Sequence, residues 1–219
     1  MIKYEDIRKF FGEDILPYNT FQEKNAIIES MKEESSPITI AKELGLYPRN
    51  NLEAEAEIFL ARRISVGELI EISYSCGKCG HFNMSNVLID DLFFQNGTDV
   101  IGKPYRLVED ILDLDDDQIE NLSIDEYNDL EVQIYKNNLN IFNNKVKVKC
   151  RSCGFEEEVA IDYKSIISKF NIKNIYEQYL DITTYGGMTK SDVDTLYPFE
   201  REILLGIIQE RENKKAQNN

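Results

Sequence analysis

Hydrophobic and polar residues alternate in short stretches in the middle of the chain. The alternation is strict over residues 145–149, where Val146 and Val148 separate three lysines, and residues 69–74 follow the same period. A period of two residues is typical of a half-buried β-strand. Residues 82–87 and 155–161 each follow a short turn, so the pattern predicts two β-hairpins.

The N-terminal part of the chain carries hydrophobic residues at helical spacing instead. We expect a short helical turn or two up to Phe11, a helix over residues 21–31 and a longer helix over residues 52–64. Asn50 or Asn51 suits the N-cap of the longer helix, because a side-chain oxygen there satisfies a free backbone N–H. Residues 1–68 therefore form the predicted N-terminal helical region.

The C-terminal region, residues 163–219, is also predicted to be helical. The expected helices cover residues 163–170, residues 175–180, a short segment that starts at a capping box in residues 189–192, and residues 199–212 with Pro198 in the first position. The last helix has an apolar stripe, which we call the C-terminal stripe: Phe199, Ile203, Ile207 and Ile208. Such a stripe is expected to dock, either on the rest of this chain or in a groove of a partner protein.

The turns of the two hairpins hold the only cysteines of the chain. Cys76 and Cys79 lie in the first knuckle, residues 76–80, and Cys150 and Cys153 lie in the second knuckle, residues 150–154. Two residues between thiolates let one turn aim both sulfurs at one ion, and the following glycine permits the positive φ that closes the turn. Four thiolates fill a tetrahedral site, so the pattern predicts a structural Zn²⁺ bound by these four cysteines.

The same cysteines could instead form an iron site, disulfide bonds or a redox dithiol. Rubredoxin-like iron sites use the same knuckles, so the sequence leaves zinc and iron open. Disulfides are disfavoured because nothing else in the chain indicates secretion, and redox dithiols usually lie at helix N-termini rather than at hairpin turns. His81 is the only histidine, and with four cysteines available we expect it to lie beside the knuckle without binding the metal.

The segment between the knuckles is the least regular part of the chain. We interpret residues 88–144 as an acidic insertion in which residues 130–135 alternate and add a strand beside the ribbon. Residues 113–117 resemble the start of a calcium loop, but Gln118 and Ile124 stand where glycine and glutamate are needed, which favours an exposed acidic loop. The predicted fold is α+β: a split four-cysteine zinc ribbon over residues 69–162, flanked by N- and C-terminal helical regions.

Charge excludes one common role of zinc ribbons. The chain carries 40 acidic residues against 25 basic ones, a formal net charge of −15, whereas nucleic-acid binders need a basic surface. Residues 38–46 resemble part of a helix-turn-helix, but Glu53, Glu55 and Glu57 follow on the would-be recognition helix. We expect no nucleic-acid partner and favour a protein partner with a basic surface. The lysines of residues 145–149 are interpreted as the solvated face of a strand.

Motifs of catalysis and of membranes are missing from the sequence. It contains no glycine-rich phosphate loop, no nucleophile elbow and no zinc-protease motif, and a single histidine disfavours a general base of the usual kind. We therefore expect a protein that is not an enzyme. No apolar run is long enough for a membrane span and no secretory signal is evident, so neither a membrane nor an export route is predicted. Cysteines in a metal pattern fit a reducing cytoplasm.

Three stretches of the chain belong together: residues 59–68 running into the first knuckle, residues 160–162 after the second knuckle, and residues 188–203. In this combination they resemble the baseplate hub assembly proteins of T4-like tailed phages. The resemblance implies a zinc-ribbon-like unit followed by a helical C-terminus. It also implies an assembly factor or hub component that binds other phage tail or baseplate hub proteins, in the cytoplasm of an infected bacterial host or in the virion tail.

Two hypotheses of other classes remain open. A zinc-ribbon transcription regulator would use residues 38–46 as part of a helix-turn-helix, and salt-dependent retention on DNA would reveal it. A rubredoxin-like electron-transfer module would hold iron, and its colour would reveal it.

Overall fold

Helices and two small antiparallel sheets make up the fold. The computed structural model describes residue 11 and residues 15–94, 123–167 and 172–217. In chain order the elements are α1 (Thr20–Ser30), α2 (Pro37–Glu43), α3 (Asn51–Val66), β1 (Leu69–Ser75), β2 (Phe82–Leu88), α4 (Ile124–Ile141), β3 (Lys145–Lys149), β4 (Glu156–Ala160), α5 (Tyr163–Ile166), α6 (Ile172–Tyr185), α7 (Lys190–Thr195) and α8 (Pro198–Gln217). The calcium-like stretch at residues 113–117 and most of the predicted first helical turn lie outside the described residues.

The N-terminal helices begin at the caps that their sequences encode. Asn19 and Ser36 form capping boxes at the starts of α1 and α2, and the Asn50 side chain accepts from the backbone N–H of Glu53 at the start of α3. Gly45 has a φ of +82° just after α2, a conformation in which glycine ends a helix without strain. The predicted helices over residues 21–31 and 52–64 are confirmed.

Helix α3 lies in the core rather than on the surface. Ala54, Ile58, Phe59 and Ala61 are fully buried along its length. The Phe59 ring lies 5.3 Å from the ring of Phe142, just before β3. Every side chain of α3 is buried or half-buried, so the would-be recognition helix packs into the core, whereas Lys42 and Glu43 of the helix-turn-helix-like segment are exposed.

The two hairpins have the strands that the alternation predicts. In the first, β1 pairs with β2 from Leu69–Leu88 at one end to Ser75–Phe82 at the other. In the second, β3 pairs with β4 from Lys145–Ala160 to Lys149–Glu156. Each pair is antiparallel and forms a separate two-stranded sheet.

The end of the insertion is a helix, so the predicted strand over residues 130–135 is wrong. Helix α4 starts at a capping box between Ser123 and Glu126 and runs to Ile141. Tyr127, Leu130 and Ile134 recur at helical spacing, and this longer period outweighs the alternation of six residues in the middle of the helix. Most described side chains of α4 are exposed, whereas Ile141 at its end is fully buried.

The C-terminal region is helical as predicted, with different bounds. Helix α5 covers Tyr163–Ile166, and residues 168–170 of its predicted range lie outside the described residues, while α6 covers Ile172–Tyr185 and is longer than predicted. The capping box between Thr189 and Asp192 starts α7, and Pro198 is the first residue of α8. These two local signals identified their helix starts to the residue.

Buried polar contacts join the two ends of the chain. Arg201 of α8 is 1% exposed, and its Nη2 lies 2.7 Å from Oε2 of Glu23 in α1. Its Nη1 donates to Oγ1 of Thr20 at 2.9 Å, and the backbone N–H of Thr20 donates to the carbonyl of Leu196 at 2.7 Å. The N-terminal and C-terminal helices therefore pack directly on each other.

Membrane insertion finds no support in the helices. Within the described ranges, no helix combines the length and the apolar composition that a transmembrane segment requires.

Candidate metal centre

The two knuckles have the same backbone structure. Residues 76–81 connect the paired residues at the end of the first hairpin, and residues 150–155 do so in the second. Gly80 and Gly154 have φ angles of +69° and +71°. Only glycine adopts this region readily, which explains the glycine that follows each Cys-x-x-Cys pair.

Backbone hydrogen bonds close both loops in the same way. In the first knuckle the N–H of Gly80 donates to the carbonyl of Cys76 at 2.8 Å, and the N–H of Cys76 donates to the carbonyl of His81 at 2.9 Å. The second knuckle repeats both bonds: Gly154 donates to Cys150 at 2.9 Å and Cys150 donates to Phe155 at 2.8 Å. The chain therefore presents two matching pairs of thiols.

The structure brings all four predicted ligands together. Their sulfur atoms lie within 4.8 Å of one another, and the Cys76–Cys153 and Cys79–Cys150 sulfur pairs are each 3.7 Å apart. A tetrahedral ion with zinc–sulfur bonds of about 2.3 Å requires sulfur–sulfur separations of about 3.8 Å. Disulfide bonds would need about 2.05 Å, and all four cysteines are free. The cluster fits a four-thiolate metal ion.

Each knuckle places one thiol inside and one outside. Cys76 and Cys150 are 2% exposed, whereas Cys79 and Cys153 are exposed. Backbone N–H groups of Cys153 and Ser152 point at the Cys150 sulfur and lower the pKa of that thiol. Thiolates are the metal-binding form of cysteine, so these N–H groups favour the binding form of Cys150.

His81 contributes its backbone to the first knuckle. Its side chain is exposed, and its carbonyl accepts both from the Cys76 N–H and from the Asn83 side chain. Among the described residues, the group that could hold a metal consists of the four cysteines alone.

Sequence reasoning missed two polar side chains beside the cysteines. Asn83 of β2 reaches the second knuckle, where its Oδ1 accepts from the backbone N–H of Arg151 at 3.0 Å. Glu157 of β4 reaches the first knuckle, where its carboxylate accepts from the backbone N–H of Gly77 at 3.2 Å. Asn83 and Glu157 stand at the same distance after the first cysteine of their knuckles, and this equal spacing is the signal that could have found them.

The lysines of β3 are exposed and share their strand face with glutamates. Across the strand pair, Lys149 lies opposite Glu156 and Lys147 lies opposite Glu158. The Nζ of Lys149 is 3.3 Å from Oε1 of Glu156. The predicted solvated strand face is therefore confirmed, and two glutamates lie opposite two of its three lysines.

The C-terminal stripe is divided by the fold. Ile208 is 9% exposed and packs inside, whereas Phe199, Ile203 and Ile207 are 45%, 60% and 41% exposed. The inner face of α8 is built around Arg201, which the ion pair with Glu23 draws into the core. Of the two expected ways of docking, packing on the rest of this chain therefore holds for Ile208 but not for the three exposed members.

Comparisons with known proteins add nothing to these observations. Searches against protein-family profiles, curated proteins and solved structures found no match. The cysteine cluster and the surfaces of the described residues are therefore the features that bear on function.

Proposed function

We propose that this chain is a non-enzymatic assembly protein of a phage tail or baseplate hub that acts by binding other proteins. The resemblance in residues 59–68, 160–162 and 188–203 supplies the biological setting of this proposal. The observation that carries its physical part is the cluster of four thiols at the tips of two hairpins.

A structural Zn²⁺ is the metal that we assign to this cluster, which makes the two hairpins a split zinc ribbon. Cys76, Cys79, Cys150 and Cys153 would bind it and complete its tetrahedral coordination, which leaves no position for water or a substrate. Such an ion stabilises the fold and takes part in no reaction. Its binding site exists only when both hairpins are folded, so the free energy of metal binding adds to the free energy of folding.

The exposed part of the C-terminal stripe is the surface that we assign to partner binding. Phe199, Ile203 and Ile207 follow one another at intervals of one helical turn on α8. Residues at this spacing are the anchors of helix-in-groove recognition, in which the apolar face of a helix fills a hydrophobic groove.

Charge indicates what kind of groove would accept this helix. Glu202 and Glu210 are exposed beside the stripe, and the whole chain has a net charge of −15. A partner with basic residues around an apolar groove would match both features, since complementary potentials speed association and exclude wrong partners. We therefore propose that this face of α8 binds an apolar groove on another tail or baseplate hub protein, and that basic residues surround this groove.

Ile203→Asp is the variant that tests this assignment. Because Ile203 is 60% exposed, we expect the variant to fold like the wild type, to keep its metal and to lose its partner. The measurement is co-purification with co-expressed phage tail or baseplate hub proteins, together with thermal unfolding and metal analysis of each sample.

Ile208→Asp is the matched control on the same helix. Ile208 is 9% exposed, so a charge there should lower the melting temperature strongly, because an unpaired carboxylate is costly in a core. An Ile203→Asp variant that is stable and still retains every hub protein would contradict the proposed interface. A variant as unstable as Ile208→Asp would show that the stripe belongs to the core.

A further inference from the structure

Asn83 connects the first hairpin to the second knuckle across the metal centre. Its side chain is 3% exposed, and its Nδ2 lies 3.7 Å from the sulfur of Cys150 and 2.8 Å from the carbonyl of His81. Its Oδ1 accepts from the N–H of Arg151 at 3.0 Å. One buried amide therefore contacts both knuckles and one of the sulfur ligands.

Glu157 occupies the equivalent place in the second hairpin. Both of its carboxylate oxygens lie 3.2 Å from the N–H of Gly77 in the first knuckle. A Cβ on Gly77 would lie only 3.0 Å from Oε2, so this glycine leaves the room that the carboxylate fills. Each hairpin thus sends one side chain to the opposite knuckle, but one is an amide and the other an acid.

The two side chains have opposite electrostatic effects on the centre. Four thiolates around a divalent ion carry a net charge of about −2, so an N–H directed at a sulfur stabilises the centre. An amide can donate such a bond, and a carboxylate cannot. Partners of this kind around metal ligands typically change metal affinity by about 10–100-fold.

We infer that Asn83 is a positioning residue of the metal centre, which orients the Cys150 thiolate and strengthens metal binding through its amide N–H. This inference rests on the metal centre of the proposed function. Glu157 fixes the opposite knuckle in the same manner but adds no stabilisation of the thiolates.

Asn83→Asp is the decisive variant, because aspartate keeps the shape and the acceptor for Arg151 but lacks the N–H. The probe is Co²⁺ added to the full chain under reducing conditions, with its affinity measured by competition with a chelator. We expect binding to weaken by about 10-fold or more. The sulfur-to-cobalt charge-transfer band should move to lower energy, since a thiolate without the hydrogen bond gives up its electrons more easily.

Glu157→Gln provides the matched control at the equivalent position. Glutamine keeps an acceptor for the Gly77 N–H and removes one negative charge beside the ion. We expect this variant to bind Co²⁺ at least as tightly as the wild type, without a shift of the band to lower energy. Asn83→Ala serves as a second variant if the new carboxylate prevents folding, and it should shift the band in the same direction as Asn83→Asp.

The outcomes distinguish a failure of the role assigned to Asn83 from a failure of the proposed metal centre. If the wild type takes up no Co²⁺, the metal centre itself is wrong, whatever the chain binds. If the wild type binds Co²⁺ and the Asn83 variants match it in affinity and band position, the role of Asn83 is contradicted. Weaker Co²⁺ binding without a shift of the charge-transfer band would also overturn the inference. It would show that Asn83 affects metal binding only through packing and not through a hydrogen bond to the sulfur.

Discussion

At the scale of single residues, Arg201 and Glu23 determine how the ends of the chain meet. Their side chains are 1% and 2% exposed, so removing one leaves the other charge buried and unpaired. We expect Glu23→Ala to lower the free energy of unfolding by about 3–5 kcal/mol. Urea denaturation of the purified protein would measure the loss.

An exposed ion pair on α6 supplies the control for this prediction. Lys173 and Glu177 are 3.5 Å apart and their side chains are 80% and 58% exposed. Solvent weakens such a pair, so Glu177→Ala should change the free energy of unfolding by less than about 1 kcal/mol. Equal losses in the two variants would be incompatible with the burial of Arg201 and Glu23.

At the scale of elements, knuckles and helices place opposite demands on glycine. Gly80 has a φ of +69°, where alanine is strained, so Gly80→Ala should lower the free energy of unfolding by about 1–2 kcal/mol. Gly206 lies inside α8, and an added Cβ meets nothing within 4 Å. Gly206→Ala should therefore raise the free energy of unfolding by about 0.5–1 kcal/mol. Thermal unfolding of both variants compares the two effects.

The sign of each change is informative. A destabilised Gly206→Ala variant would mean that the exposed face of α8 is covered in solution. A Gly80→Ala variant as stable as the wild type would show that the first knuckle does not adopt the closed turn of the structure.

At the scale of the whole molecule, the cluster of four cysteines joins two hairpins that lie far apart in the sequence. We expect the purified chain to contain one zinc ion, and Cys150→Ser to lose it, because three thiolates leave the site incomplete. The melting temperature should fall by about 10 °C or more, since each kcal/mol shifts it by about 2–4 °C at this size. Metal analysis and calorimetry would test both expectations.

Ser152→Ala is the control for the cysteine variant. Ser152 lies in the same knuckle and is exposed, and its contribution to the Cys150 sulfur comes from the backbone, which alanine keeps. This variant should retain zinc and stability. Iron in the wild type would favour the rubredoxin-like hypothesis, and a chain without metal would contradict the proposed centre.

The sequence by itself determined the features that depend on a few neighbouring residues. The two knuckles, the four strands of the two hairpins and the helix starts at Asn50, Thr189 and Pro198 lie where the local patterns predict them, whereas the alternation in residues 130–135 gave a wrong strand. Turn geometry, strand alternation and helix capping each depend on residues that are a few positions apart, so the sequence shows whether their requirements are met.

Only the tertiary structure decided the features that depend on contacts between distant residues. From the sequence, Arg201 is expected on the surface, but in the structure it is buried in an ion pair with Glu23 of α1. The face of α8 that carries Arg201 therefore packs inside, and three apolar residues of the same helix are exposed. Asn83 and Glu157 share one spacing in the sequence, but only the packing of the two hairpins brings Asn83 to the second knuckle. Burial and ion pairing arise from packing between elements, and one sequence does not show which elements will meet.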